Sequence, residues 1–133
     1  MTQHATGTFE VKMQPQGDGD VAEGSSLGRM SLDKRFSGDL EASGKGEMLA
    51  ARSDVPASAA YVAIERVSGS LHGHEGSFVL VHKGVMTKGA QSLVIEVVPD
   101  TGTGQLMGLA GTLGIRIEDG RHYYDFEYSL PGE

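Results

Sequence analysis

The chain has 133 residues, 20 glycines and no cysteine, which fits one domain with a single core and excludes disulfides and thiolate metal sites. Its formal net charge of -7 at pH 7 disfavours nucleic acid and anionic membranes as partners, because both would repel it. There is no apolar run of about 18 residues and no signal-peptide pattern at the N-terminus. We therefore expect one domain over residues 1–133, located in the cytoplasm.

The first part of the chain alternates apolar and polar residues with the period of two that is typical of β-strands. The alternation predicts strands over residues 8–14 and 28–36, and in the first of them Phe9 and Val11 share a face. Between these strands, residues 15–26 are rich in glycine, aspartate and serine, a composition that buries little apolar surface. We interpret this segment as a flexible loop.

The next stretch contains more glycine, and its boundaries follow from turn signals. We predict a hairpin of two short strands, 40–42 and 47–51, around a turn over 43–46 that contains two glycines. Residues 57–67 begin with alanines that favour a helix, but their β-branched and aromatic residues favour a strand. We predict a strand there.

The last part of the chain carries the strongest strand signals. Residues 77–82 and 92–98 are rich in valine, isoleucine and leucine and are bounded by glycine or proline. Asp119-Gly120 separates alternating runs over 113–118 and 121–130, which is typical of a two-residue hairpin turn. About eight short strands leave a closed barrel or a sandwich as the usual architectures. We expect an all-β fold, an antiparallel eight-stranded barrel with little or no helix.

Four segments carry a resemblance to known barrels. The glycine-rich run from Val97 to Leu106 resembles a segment that joins two strands in allene oxide cyclases and dirigent proteins. Gly7 to Lys12, Leu32 to Leu40 and Gly76 to His82 are similar to a bacterial family of uncharacterised proteins assigned to that superfamily. The resemblance implies an allene oxide cyclase-like barrel that forms a homo-oligomer and has a cavity for a small apolar or aromatic molecule. It also makes Glu10 the nearest match to the acidic residue near the first strand of the cyclases.

Ionisable residues that face the interior of a barrel are candidates for chemistry. Lys34 is in phase with Leu32 and Phe36, so its ammonium is either a buried base or ligand anchor, or it extends to water from a strand end. Glu65 and Glu96 are also in phase with apolar neighbours. If either one meets Lys34 or Arg66 across the barrel, the pair would orient a substrate or form a structural ion pair.

Histidines and a glycine-rich segment supply the remaining candidates. His82 and His122 are in phase with apolar residues on separate strands, and they would act as general base and acid or simply be hydrogen-bonded. His72-Gly73-His74-Glu75 could bind a metal with His82, but the spacing fits a solvated turn better, so we assign no metal site. Thr101-Gly102-Thr103-Gly104 lacks the lysine and helix of a phosphate loop and is predicted to be a tight connection.

These observations lead to three hypotheses about function. The first is a small-molecule-binding barrel without a cofactor. The second is a cofactor-free isomerase or cyclase that uses interior acids and bases, and the third is a structural oligomer with a packed interior. The predicted catalytic candidates are Glu10, Lys34, Glu65, His82, Glu96 and His122. The predicted ligand-lining residues are Phe9, Met13, Met30, Phe36, Phe78, Tyr124, Phe126 and Tyr128.

Overall fold

The computed structural model describes residues 2–132, which form strands and one short 3-10 helix. In chain order the strands are β1 (Gln3–Pro15), β2 (Asp20–Ala22), β3 (Ser25–Gly38), β4 (Leu40–Ser53), β5 (Ala59–Leu71), β6 (His74–Thr87), β7 (Ala90–Val97), β8 (Ala110–Glu118) and β9 (Arg121–Ser129), with the 3-10 helix (Gly104–Leu106) between β7 and β8. Within this part of the chain, no helix has the length and apolarity needed to cross a membrane.

Eight strands close into an antiparallel barrel in the order β1-β3-β4-β5-β6-β7-β8-β9. β1 closes the ring because it pairs with both β9 and β3, so that Phe9 lies opposite His122 on one side and Phe36 on the other. The remaining strand, β2, pairs with the first residues of β3 and lies within the segment predicted to be a loop. The expected all-β, eight-stranded antiparallel barrel is therefore confirmed.

The hairpin predicted over residues 40–51 is wrong, because β4 runs through it without a turn. Its two glycines serve close packing instead. A Cβ on Gly44 would lie 2.5 Å from Glu65 Oε2, and a Cβ on Gly46 would lie 1.9 Å from the carbonyl oxygen of Ile64. Glycine here lets β4 approach its neighbours, so the same residue type that usually indicates a turn is part of a long strand.

Other strand and turn predictions are confirmed. The segment with mixed helix and strand signals is strand β5. The Asp119-Gly120 turn joins β8 to β9, and both of its residues have positive φ, 51° and 77°, as the hairpin turn requires. The glycine-rich connection between β7 and β8 contains the 3-10 helix, and it buries Leu106 and Leu109 in the core.

The two ends of the barrel differ in packing. The core fills the end where β1 begins and β9 finishes, and it contains the buried rings of Phe36, Phe78, Phe126 and Tyr128. At the opposite end, inward positions are open to solvent. Met13, Leu93 and Ile117 lie there and are 51%, 42% and 64% exposed. We call this open end, where β1, β4, β6 and β8 finish, the mouth.

Candidate functional site

Three ionisable side chains lie inside the barrel and are almost completely buried. Lys34 on β3, Glu65 on β5 and His82 on β6 are 7%, 0% and 3% exposed. The alternation of each strand turns these residues inward, in phase with core residues such as Phe36 and Leu80. We call Lys34, Glu65 and His82 the polar triad.

One oxygen of Glu65 holds the triad together. Lys34 Nζ donates a hydrogen bond to Glu65 Oε1 at 2.9 Å, and His82 Nε2 lies 2.6 Å from the same oxygen. An ionised carboxylate only accepts hydrogen bonds, so Nε2 of His82 carries the proton in this contact. Burial by itself would raise the pKa of Glu65, but the hydrogen bond from His82 and the charge of Lys34 outweigh burial and lower this pKa.

The other oxygen of Glu65 has a different environment. Among the described residues, Glu65 Oε2 is buried and has no hydrogen-bond partner. It lies against Gly44 of β4, the strand that separates Lys34 on β3 from Glu65 on β5. The missing side chain at Gly44 therefore provides the space in which the lysine and the glutamate meet over the strand between them.

Aromatic rings border the lysine. Nζ of Lys34 lies 5.2 Å from the ring centroid of Phe9 and 5.9 Å from that of Phe36, distances that permit cation–π attraction. The half-buried ring of His122 packs on Phe9 with 5.1 Å between centroids. The ring of Phe9 therefore contacts both Lys34 and His122.

The predicted acids separate into inside and outside positions. Glu10 and Glu96 are exposed on the outer surface, whereas Glu65 is buried. On β7 the inward positions belong to Ile95 and Val97, which places Glu96 on the other face. Of the pairs considered from the sequence, the structure forms the one between Glu65 and Lys34.

Most residues predicted to line a cavity are packed in the core. Phe78 and Phe126 stack with 5.7 Å between centroids. The hydroxyl of Tyr124 donates to the carbonyl oxygen of Ser37 and accepts from the N–H of Leu40. The residues buried there are Phe9, Phe36, Phe78, Tyr124, Phe126 and Tyr128, while Met13 and Met30 lie toward the mouth.

His72-Gly73 forms the turn between β5 and β6, where both residues have positive φ. The ring of His72 is hydrogen-bonded to the hydroxyl of Tyr128, and its Nε2 lies 3.6 Å from Asp39 Oδ2. Residues 2–132 contain no cluster of three or more His, Cys, Asp or Glu side chains placed to hold a metal ion. The predicted turn is therefore present.

A depression of about 240 Å³ opens at the mouth between β4 and β7. Its inward-facing lining is mostly apolar. Tyr61 lies against the wall of β6, since a Cβ on Gly84 would come within 2.3 Å of the tyrosine ring. The inward-facing lining residues are Met48, Ala50, Arg52, Ala59, Tyr61, Gly84, Met86, Gln91 and Leu93, of which Arg52, Tyr61 and Gln91 are polar.

The depression adjoins the polar triad. Met48 lies opposite Ala63, which in turn lies opposite His82, so Met48 of the lining and His82 of the triad share one row of the barrel with β5 between them. Burial and the charge of Glu65 both raise the pKa of Tyr61, which keeps its phenol protonated. Sequence reasoning did not identify Tyr61 as a site residue, although its phase matches that of Glu65, four residues along β5.

Comparison with known proteins connects this barrel to a family. A model described as a protein of unknown function (DUF3224) matches residues 5–128. The chain belongs to the DUF3224 family. A crystal structure of a DUF3224 protein of unknown function from Shewanella oneidensis MR-1 is 48% identical, with a TM-score of 0.95 and 100% of both chains covered. Among curated proteins, none matches this DUF3224 chain.

Proposed function

We propose that this protein binds a small apolar or aromatic molecule at the mouth of its barrel. The observation that carries the proposal is the apolar depression of about 240 Å³ that adjoins a buried charged triad. Ligand sites commonly combine apolar walls with a few polar groups in this way. The volume lies below the roughly 300–1,000 Å³ of drug-sized sites, so the expected ligand has one or two rings.

Methionine side chains make this lining adaptable. Met48 and Met86 line the depression, and Met30 lies directly opposite Met48 on the neighbouring strand. Methionine is unbranched and polarizable, and it packs well against aromatic rings of varied shape. The methionines therefore favour an apolar or aromatic ligand and tolerate variation in its shape.

Tyr61 supplies a polar contact for such a ligand. It lines the depression, and its hydroxyl forms no hydrogen bond with the described part of the chain. Because burial and the nearby charge of Glu65 raise its pKa and favour the protonated phenol, Tyr61 is available as a hydrogen-bond donor. A carbonyl, ether or hydroxyl oxygen on the ligand would accept this bond.

We also propose that the family is part of the allene oxide cyclase-like superfamily. The closed antiparallel eight-stranded barrel supports the assignment. The glycine-rich connection between β7 and β8 supports it as well, because it joins two barrel strands as the comparable segment of those families does.

Proton transfer is a second candidate function, and the unpartnered Oε2 of Glu65 favours it. A carboxylate with one bare oxygen and a histidine on the other can take up a proton from a substrate. In this function a substrate in the depression would reach the triad past Tyr61. Catalysis would then require Glu65, whereas binding alone would not.

Methionine-methyl NMR tests the binding proposal. The probe is 2-naphthol, titrated into protein labelled at its methionine methyl groups. We expect shifts at Met48 and Met86, while Met107, which is 70% exposed and lies in the connection before β8, does not move. Equal shifts at all methionines, or no shift at the highest soluble concentration of 2-naphthol, would contradict the proposal.

A pair of matched variants tests the same site. Leu93→Trp fills the depression, whereas Ile117→Trp changes an exposed inward position elsewhere at the mouth. We expect the first substitution to weaken 2-naphthol binding at least tenfold and the second to leave it unchanged. Equal affinities in the two variants would place the ligand elsewhere. Glu65→Gln separates the two candidate functions, since it should preserve binding and abolish proton transfer.

A further inference from the structure

The outside of the barrel carries an apolar face near the mouth. Outward positions on five consecutive strands, β3 to β7, hold aliphatic side chains that are between 37% and 57% exposed. These side chains, which we call the outer apolar face, are Leu27, Leu49, Val62, Ile64, Val85 and Val94.

Strand register joins most of this face. Leu27 is linked to Val85 through Ala51 and Ala60, which lie directly opposite one another on β4 and β5. In the next row Leu49 lies opposite Val62, and Lys83 separates Val62 from Val94. Directly opposite side chains on one face of a sheet are about 5 Å apart and touch. A shallow groove of about 360 Å³ crosses the face between Leu27 and Val85. Contiguous exposed apolar surface of this kind marks an interaction site in soluble proteins.

Charges within the face alternate in sign. Arg29 lies opposite Leu49 and Lys83 opposite Val62, while Glu47 lies opposite Ile64. Glu96 lies opposite Val81 and supplies a second acid. The face therefore carries two basic and two acidic groups, although the whole chain has a net charge of -7. Two copies can meet here without the repulsion that the rest of the surface would cause.

We propose that a second copy of this chain covers the outer apolar face and forms a two-fold symmetric dimer. In such an interface the same patch serves on both sides, so it must be complementary to itself. Interleaved charges of both signs meet this requirement, because the basic groups of one copy can face the acidic groups of the other. A strongly acidic or strongly basic partner would instead meet like charges at half of these positions.

The size of the face sets the expected strength of the dimer. Five strands at about 4.8 Å spacing and about seven residues at 3.3 Å give roughly 24 by 23 Å. Each copy then contributes roughly 550 Å², which is less than the typical ~800 Å² per partner. The two copies together bury roughly 1,100 Å², which exceeds the ~1,000 Å² expected of a specific interface. We therefore expect a dissociation constant in the micromolar range.

Dimerisation would also affect the mouth. The groove on the outer face and the depression share Ala50, Ala51, Ala60, Tyr61, Gly84 and Val85. A second copy on this face would therefore lie next to a ligand bound in the depression. This consequence rests on the proposed function. The dimer itself does not depend on that function.

Sedimentation velocity over a range of micromolar concentrations tests the proposal. We expect the wild-type chain to shift from monomer to dimer as concentration rises, and Val62→Asp to remain a monomer. The control is Met107→Asp, at an exposed position in the connection before β8 and away from the face, which should dimerise like the wild type. Circular dichroism confirms that each variant is folded. A monomer at every concentration overturns the proposal and leaves the face to a different partner.

Cross-linking provides a test that does not rely on a disruptive substitution. The chain contains no cysteine, so a single introduced thiol reports only its own contacts. Val62→Cys lies near the centre of the outer apolar face and should form covalent dimers with a short bis-maleimide, while Met107→Cys, which is exposed elsewhere, should not. A wild-type dimer that persists in Val62→Asp, with equal cross-linking of both thiols, would overturn the assignment of this face.

Discussion

Removing the lysine of the polar triad should destabilise the protein strongly. Lys34→Met keeps most of the side-chain volume but leaves the carboxylate of Glu65, which is fully buried, with His82 as its hydrogen-bonding partner. Breaking a buried ion pair by removing one partner costs about 3–5 kcal/mol. For a chain of 133 residues, this loss lowers the melting temperature by roughly 11–18 °C.

Double-mutant analysis shows whether this cost comes from the unpaired carboxylate. Lys34→Met combined with Glu65→Met removes both charges and replaces them with apolar groups. Because such a replacement is often neutral or stabilising, we expect the double variant to recover most of the stability lost by Lys34→Met. The measurement is the free energy of unfolding from urea titrations followed by circular dichroism.

An exposed ion pair supplies the control. Arg116 Nε lies 2.8 Å from Glu118 Oε2 on β8, and both side chains are more than half exposed. Arg116→Met should cost less than about 1 kcal/mol, because water already solvates both groups. If Lys34→Met is as mild as Arg116→Met, or if the double variant is less stable than Lys34→Met alone, the reasoning about burial is refuted.

Three further predictions follow from the interior. Because folding lowers the pKa of Glu65 from its ordinary value of 4.5, the ionised carboxylate stabilises the fold at pH values above 4.5. This stabilisation is lost as the pH falls through the lowered pKa. Glu65→Gln should therefore flatten the decline of the urea midpoint below about pH 5. Gly44→Ala should cost about 1–3 kcal/mol through crowding, whereas Gly28→Ala, with open space around it, should be nearly neutral in the same titration. Gly84→Ala should displace the ring of Tyr61 and change 2-naphthol affinity in calorimetry, and an unchanged affinity would contradict the role of Tyr61.

The contacts of the polar triad are compatible with a structural role and with a chemical one. Lys34 and His82 both bind Glu65, which is the arrangement expected of a structural ion-pair network. His82 nevertheless shares a row of the barrel with Met48, which lines the open depression. The buried Oε2 of Glu65 has no protein partner among the described residues. Because Glu65→Gln should preserve binding in either case, measurements of proton transfer on this variant distinguish a scaffold for the mouth from a group that acts on the ligand.

Local patterns in the sequence determined the strands and the face on which each residue lies. Alternation with a period of two depends only on neighbouring residues, so it predicted that Lys34 and His82 point inward. The Asp119-Gly120 turn was equally predictable, because its backbone conformation selects those residue types.

Tertiary structure decided which residues meet. Periodicity assigns a face but not a register between distant strands, and only closure of the ring brings Lys34 of β3 to Glu65 of β5 while Glu96 stays outside. Gly44 shows the same limit. A glycine permits either a turn or close packing, and the choice depends on the side chain of Glu65 that it faces, which lies 21 residues away in the chain.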